Sequence, residues 1–303
     1  MLLVRLVKRN ILVYIRDKSN IFFSLLSMII IIGLMVIFLG KMNADGVVDL
    51  LKQYGGTRDS AADKINSEQL VMLWTLGGIV VVNSVTITLS MIGIMIEDEV
   101  QKKLGSFYVS PVNRTVFVLG YILAAIVMAI IICVLTVVVG EGYFAFIGGD
   151  LISFDQMCQI FIYIVLNVFT SACLVFFLLN FVHTQSSLSG LGTIIGTLVG
   201  FMSAIYLPMG MLPEKVQLVI KCFPMVHGSS FLRDILTSEI IRKTFYNCPK
   251  QVIDEYKEYM GMTLTYKGDV ITDQFKVMFL LISGIILITL SVFLQRRRNV
   301  MNR

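Results

Sequence analysis

Residues 70–114 read LVMLWTLGGIVVVNSVTITLSMIGIMI and then, without a break, EDEVQKKLGSFYVSPVNR. The first part has no ionisable side chain and exceeds the roughly 20 apolar residues that cross about 30 Å of hydrocarbon. The second part is a compact block of mixed charge. Ser110-Pro111 ends any helix begun at Glu97, because proline lacks the backbone N–H and its ring clashes with the preceding turn. Another apolar run starts at Val116, so the block at 97–114 is caught between two membrane-length segments. A chain built this way belongs in a bilayer, with 97–114 at one face.

The whole composition agrees. Of 303 residues, 56% are apolar and 15% charged, against about 25% charge in globular chains. Six runs are long enough to span: 21–40, 70–96, 116–140, 157–182, 186–207 and 277–294. The expected fold is an all-α, multi-pass integral membrane protein of six transmembrane helices in one domain, residues 1–303. The net charge of +5 follows topology and is no nucleic-acid footprint. With both termini in the cytoplasm, the inside segments hold twelve Lys and Arg against four acids, and the outside thirteen against sixteen. That split obeys the positive-inside rule, so the expected topology is N-in, C-in.

Residues 1–18 carry Leu3, Val4, Val7, Ile11, Tyr14 and Ile15 on one helical stripe and Arg5, Lys8, Arg9 and Arg16 on another. A basic amphipathic helix of this kind lies among lipid headgroups. The segment 41–69, with Gly46, Gly55 and Gly56 and balanced charge, reads as a solvated linker. Gly140 and Gly142 read as the end of the third span. Polar residues within spans must find partners, so Asn83, Thr86 and Asn167 face the bundle interior or a wet path and are the candidates for substrate contact. Gly192, Gly196 and Gly200 form a GxxxGxxxG row that lets another helix approach closely, from the same chain or from a dimer partner. Residues 208–276 turn polar around short helical patches broken by Pro213 and Pro224. They suit a hairpin that dips into the outer leaflet and returns, with Ser229 or Ser230 capping its second helix, followed by a hydrophilic outer cap at 239–273. Five cysteines show no metal spacing. Cys222 and Cys248 share the outer segment, which leaves a disulfide between them open.

The missing chemistry is as informative. No ionisable residue sits mid-span, where coupled carriers place them. There is no G-x-x-x-x-G-K-[ST] to bind ATP, no HExxH and no GxSxG, and His183 and His227 are the only histidines. The chain reads as a path without an engine.

In that context the block Glu97, Asp98, Glu99, Lys102, Lys103, then Ser110-Pro111-Val112-Asn113-Arg114, resembles the inner loop of ABC-2 type transporter permeases, membrane subunits of bacterial ABC exporters. In that family an acidic helix follows the second span and leads into a Ser-Pro-x-x-Arg turn. Val7 to Tyr14 with Arg16-Asp17 match its N-terminal helix, and Leu212-Pro213, Phe223-Pro224 and Arg233-Asp234 its pattern after the fifth span. The resemblance implies a re-entrant helical hairpin there and a six-span half-transporter in the bacterial cytoplasmic membrane. It would be paired with a second copy of itself or a similar permease. A separate nucleotide-binding ATPase subunit, carrying ATP and Mg, would dock on Arg9, Arg16, Asp17 and the 97–114 coupling loop. This chain would itself be no enzyme and hold no cofactor. Its outer segment is longer than in minimal polysaccharide exporters, which favours drug-like, peptide or lipid-like cargo. Two other readings stay open: an ATP-independent channel or carrier, kept alive by the polar span residues, and a membrane-anchored sensor with a ligand-binding cap.

Overall fold

The computed structural model describes residues 2–19, 40–54, 59–103 and 114–301, with Ile21, Phe22, Leu26, Ile30 and Gly33 between them, and only the backbone of Arg114 and of residues 295–301. Most of the first apolar run, 21–40, lies outside the described residues, as do Ser110 and Pro111. In chain order the helices are α1 Leu2–Arg16, α2 Gly40–Tyr54, α3 Ser60–Val100, α4 Arg114–Phe146, α5 Phe154–Leu179 and α6 Gln185–Met202. There follow α7 Glu214–Lys221, α8 Pro224–Thr244, α9 Lys250–Tyr259, a two-stranded antiparallel hairpin (β1 Thr265–Tyr266, β2 Asp269–Val270) and α10 Asp273–Met301.

Among the described residues four helices are long and apolar enough to cross a membrane: α3, Thr115–Phe146 within α4, α5, and Asp273–Leu294 within α10. The run at 186–207 forms α6, but nine of its eighteen residues are Gly, Ser or Thr, so it is the least apolar of the described runs. Helix α3 is the axis of the bundle. It packs against α1, α2, α4, α5, α6 and α8, and 83% of its most apolar window is buried, against 17% for α10. A helix apolar on every face is stable only with neighbours all round. At 41 residues it is about 60 Å long, twice the hydrocarbon thickness, so its ends pass beyond the apolar zone.

Inside the bundle a polar seam crosses from helix to helix. Asn83 Nδ2 donates to Thr136 Oγ1 at 2.9 Å, joining α3 to α4. Asn167 Nδ2 donates to Ser84 Oγ at 2.8 Å, and Ser84 and Ser171 share a 2.9 Å bond, joining α3 to α5. Thr170 Oγ1 then donates to the Leu280 carbonyl of α10 at 3.0 Å.

Several expectations change. The described part of 41–69 is helical and no solvated linker: Ala44, Val47 and Leu51 recur on one face of α2 and are buried against α3, a helical period that outweighs Gly46. Gly140 and Gly142 do not end the third span; α4 runs on to Phe146. The cap at 239–273 does not start after the second hairpin helix: α8 runs into it as far as Thr244, and α9 and the β-hairpin follow.

The hairpin 208–244 goes deeper than a surface amphipathic segment would. Pro224 sits in the first turn of α8, where its missing N–H costs nothing, and fifteen of the 21 residues of α8 are buried. Ser229 and Ser230 do not cap it; they donate to the carbonyls of Val226 and Met262. Gly228 lies against Asn167, level with Ser84, so the start of α8 reaches the middle of the apolar part of α3. The far end of α8 meets the α4–α5 turn, where Lys243 pairs with Asp150.

Arg233 anchors this arrangement. It is fully buried, stacked 4.0 Å over the Trp74 ring, with Nε donating to Trp74 O at 3.2 Å and Nη2 to Ala204 O at 3.0 Å. Among the described residues no carboxylate pairs with it; neighbouring Asp234 bonds Lys257 at 2.7 Å. Its cation lies instead near residues just past two helix ends, Ala204 after α6 and Gly261 after α9, where carbonyls carry partial negative charge. A Cβ on Gly78 would stand 2.9 Å from Nη2, so α3 can host the guanidinium only with glycine there.

A Cβ at Gly228 would sit 2.4 Å from Asn167 Oδ1, whereas one at Gly196 meets nothing within 4 Å. Gly228→Ala should therefore destabilise the detergent-solubilised protein by about 1–3 kcal/mol. Gly196→Ala should be neutral or stabilise by up to about 1 kcal/mol through helix propensity. Thermal unfolding of both variants checks this, and equal shifts would contradict it.

Candidate functional site

The most developed polar constellation outside the bundle interior joins α1, the end of α3 and the start of α4. Asp98 falls in the last turn of α3, where a carboxylate opposes the helix dipole, and its side chain is only 4% exposed. Such a group needs strong partners. Arg9 supplies a two-pronged fork, Nη1 to Oδ2 at 2.5 Å and Nη2 to Oδ1 at 3.1 Å. Tyr121 Oη donates to Oδ2 at 2.7 Å. Arg9 Nη1 also donates to Asn10 Oδ1 at 2.9 Å and reaches Tyr121 Oη at 3.3 Å. The hydrogen bond to Asp98 raises the Arg9 pKa above its ordinary value, so Arg9 stays charged throughout the physiological range.

The local sequence explains the approach. Leu6, Asn10 and Tyr14 are the buried face of α1, and a Cβ on Gly120 of α4 would stand 3.0 Å from Leu6 Cβ. Arg9 was expected on the basic stripe of α1 toward lipid headgroups; it is half-buried beside the packed face instead, because Asp98 holds it there. Helix α3 ends in a Schellman turn: Lys103 N bonds Asp98 O and Lys102 N bonds Glu99 O, both at 3.0 Å, with Lys102 in the left-handed region at φ 56°. Lysine rather than glycine at that position costs roughly 1 kcal/mol. The acidic triad is thus the last turn of α3 and no separate helix.

Around the ion pair the remaining charges form an open platform. Arg5, Lys8, Arg16, Asp17, Lys18, Glu99, Lys102 and Lys103 are exposed. Glu97 is half-buried and accepts a 3.3 Å bond from Gln185 of α6. Arg114 opens α4. The platform offers charge of both signs to a partner and no catalytic group; among the described residues no cluster of His, Cys, Asp and Glu could hold a metal.

The other candidate residues lie elsewhere. Asn83, Thr86 and Asn167 are buried; Asn83 and Asn167 bond across helices, to Thr136 and Ser84, while Thr86 bonds the Asn83 carbonyl within α3. The glycine row divides: Gly192 approaches Leu89 and Gly200 abuts Tyr206, while Gly196 faces open space. Pro213 and Pro224 flank the start of α7 and of α8. No disulfide joins Cys222 to Cys248; the exposed Cys222 thiol donates to Leu218 O at 3.4 Å. Sequence reasoning missed Tyr121 and Asn10. A Tyr one face-turn inside α4 and an Asn among the cations of α1 were the available signals.

Removing one side of a buried pair strands the other. Arg9→Ala should cost about 3 kcal/mol, the low end for buried pairs because Arg9 keeps a third of its side chain in solvent. Arg9→Lys should recover only part, lacking the fork, and Tyr121→Phe should cost about 1 kcal/mol. Thermal unfolding in micelles measures all three; an unchanged midpoint for Arg9→Ala would refute the pairing.

No match is found among curated proteins. The family model of ABC-2 family transporter proteins matches residues 57–293, which takes in α3 and runs to the last apolar turns of α10. With its apolar helices wrapped around α3, the chain belongs to the ABC-2 transporter family and is a multi-pass membrane protein.

Proposed function

We propose that this chain is the permease half of an ATP-driven exporter: six spans, both termini in the cytoplasm of a bacterial cell, and energy drawn from a separate nucleotide-binding subunit. The observation that carries the reading is the Arg9–Asp98–Tyr121 joint, which ties a charged surface helix to the end of the most buried helix. Force applied to that platform moves α3, and with it every helix packed on α3. ATP binding in the partner would then bias an inward/outward equilibrium through its differential affinity for the two states. A second permease would pair with this one, and the open face of α6 supports that pairing. Thr193 and Thr197 are exposed there, satisfied by their own i−4 carbonyls at 3.1 and 2.9 Å, beside the exposed apolar side chains of Ile194 and Leu198, so both small and bulky groups are free to meet a neighbour. The cargo we assign is drug-like, peptide or lipid-like.

Asp98 belongs to the joint, so the carboxylates left for docking are Glu97 and Glu99. The double variant Glu97→Lys, Glu99→Lys should keep its melting temperature. Reconstituted with the ATPase subunit, it should lose transport per ATP hydrolysed on the order of tenfold, a coupling loss of typical size. Undiminished transport in vesicles would remove these residues from the docking surface.

A further inference from the structure

At the end of the bundle opposite the joint, a pocket of about 160 Å³ opens between the start of α3, the α4–α5 turn and the last turns of α8. Its apolar wall is Leu73, Phe144, Leu236 and Ile240, and its polar lining includes Asn66, Gln69 and Glu239. Among the described residues none of those three polar side chains makes a hydrogen bond or ion pair, although Gln69 is buried and Asn66 and Glu239 are half-buried. Their polar atoms stay open to the cavity and are not shut away from solvent, so three convergent side chains without protein partners are free to meet an outside group.

Charge selects the chemistry. The other charges of the pocket, Asp150 and Lys243, pair with each other at the rim. That pairing turns Lys243 away from Glu239, four residues earlier on α8, which would otherwise be its natural partner. Glu239 is left as the one uncompensated charge of the lining, and an unpaired carboxylate in a partly enclosed cavity suits a cation. Size narrows it further. The pocket is below the roughly 300 Å³ at which drug-sized sites begin and holds about five waters at ~30 Å³ each. The occupant is therefore a headgroup-sized molecule. The amides of Asn66 and Gln69 supply both donors and acceptors for a hydroxyl or phosphate next to the cation.

We propose that this pocket binds a compact primary ammonium carried next to a phosphate or hydroxyl, as in an ethanolamine headgroup, with Glu239 as its counter-ion. The ammonium comes either from a phosphatidylethanolamine headgroup or from a free soluble amine. The surroundings place the mouth at headgroup level: Tyr143, Phe146, Leu151 and Phe154, in and around the turn that lines the pocket, are all more than half exposed, as in the aromatic belt of a membrane interface. The site is independent of the platform at Asp98, and the proposal does not rest on the exporter reading.

The test uses the full chain in nanodiscs of phosphatidylglycerol, titrated calorimetrically with glycerophosphoethanolamine and, as control, glycerophosphoglycerol. The amine should bind and the control should not. Glu239→Gln should weaken binding at least tenfold, and Glu239→Asp should keep part of it. Asp150→Asn, a change at an exposed residue, releases Lys243 onto Glu239 and should weaken binding nearly as much. Melting curves for each variant separate lost binding from lost fold. In phosphatidylethanolamine nanodiscs, blocked binding of the soluble probe identifies the lipid as occupant, while undiminished binding identifies a free amine. Equal binding of amine and control, or wild-type affinity in both folded Glu239→Gln and Asp150→Asn, would overturn the proposal.

Discussion

The ion pair between Arg9 and Asp98 fixes the end of α3, and α3 is the helix on which most of the others pack. A carboxylate in the last turn of a helix works against the backbone dipole, and a buried one carries a desolvation cost as well. Both are offset here by a forked guanidinium and a tyrosine hydroxyl arriving from two other helices. The consequence is mechanical: α1, α3 and α4 share one joint, so the surface helix cannot shift without moving the bundle axis.

Along that axis the polar groups are distributed with economy. Asn83 bonds Thr136, and Ser84 bonds Asn167 and Ser171, across helices in the apolar zone. Arg233 is held without an acid, by carbonyls, an indole face and the ends of two helices. An arginine so placed requires Gly77 and Gly78 on α3 to let it in. The result binds α8 to the upper half of α3, and it explains why α8 runs at the depth of Ser84 although its sequence is no more apolar than a surface helix.

Much of this was legible beforehand. Long uncharged runs exclude a soluble fold, and the four described runs that became span-length helices are those with few interruptions. The block at 97–114 was singled out because its charges had no reason to be there unless they met something. What the sequence hid follows from tertiary context. The glycines of 41–69 suggested a solvated linker, yet Ala44, Val47 and Leu51 found a face of α3 to cover. Arg9 looked like one more headgroup cation, because the residue that draws it inward lies 89 positions away. That Thr136 stands opposite Asn83 could not be read from one strand of sequence either. Glu239 gave no signal at all until Lys243 was seen to face Asp150.

The central claim is that the chain is driven from outside, through the platform built on the Arg9–Asp98 joint. It is tested most directly by photo-crosslinking from Glu99 and Lys103 in native membranes, followed by purification and an ATPase assay of the crosslinked species. The account predicts a soluble nucleotide-binding subunit joined at both positions, with ATPase activity that Arg9→Ala uncouples from transport. Crosslinks to lipid alone, together with transport that survives depletion of ATP, would contradict it.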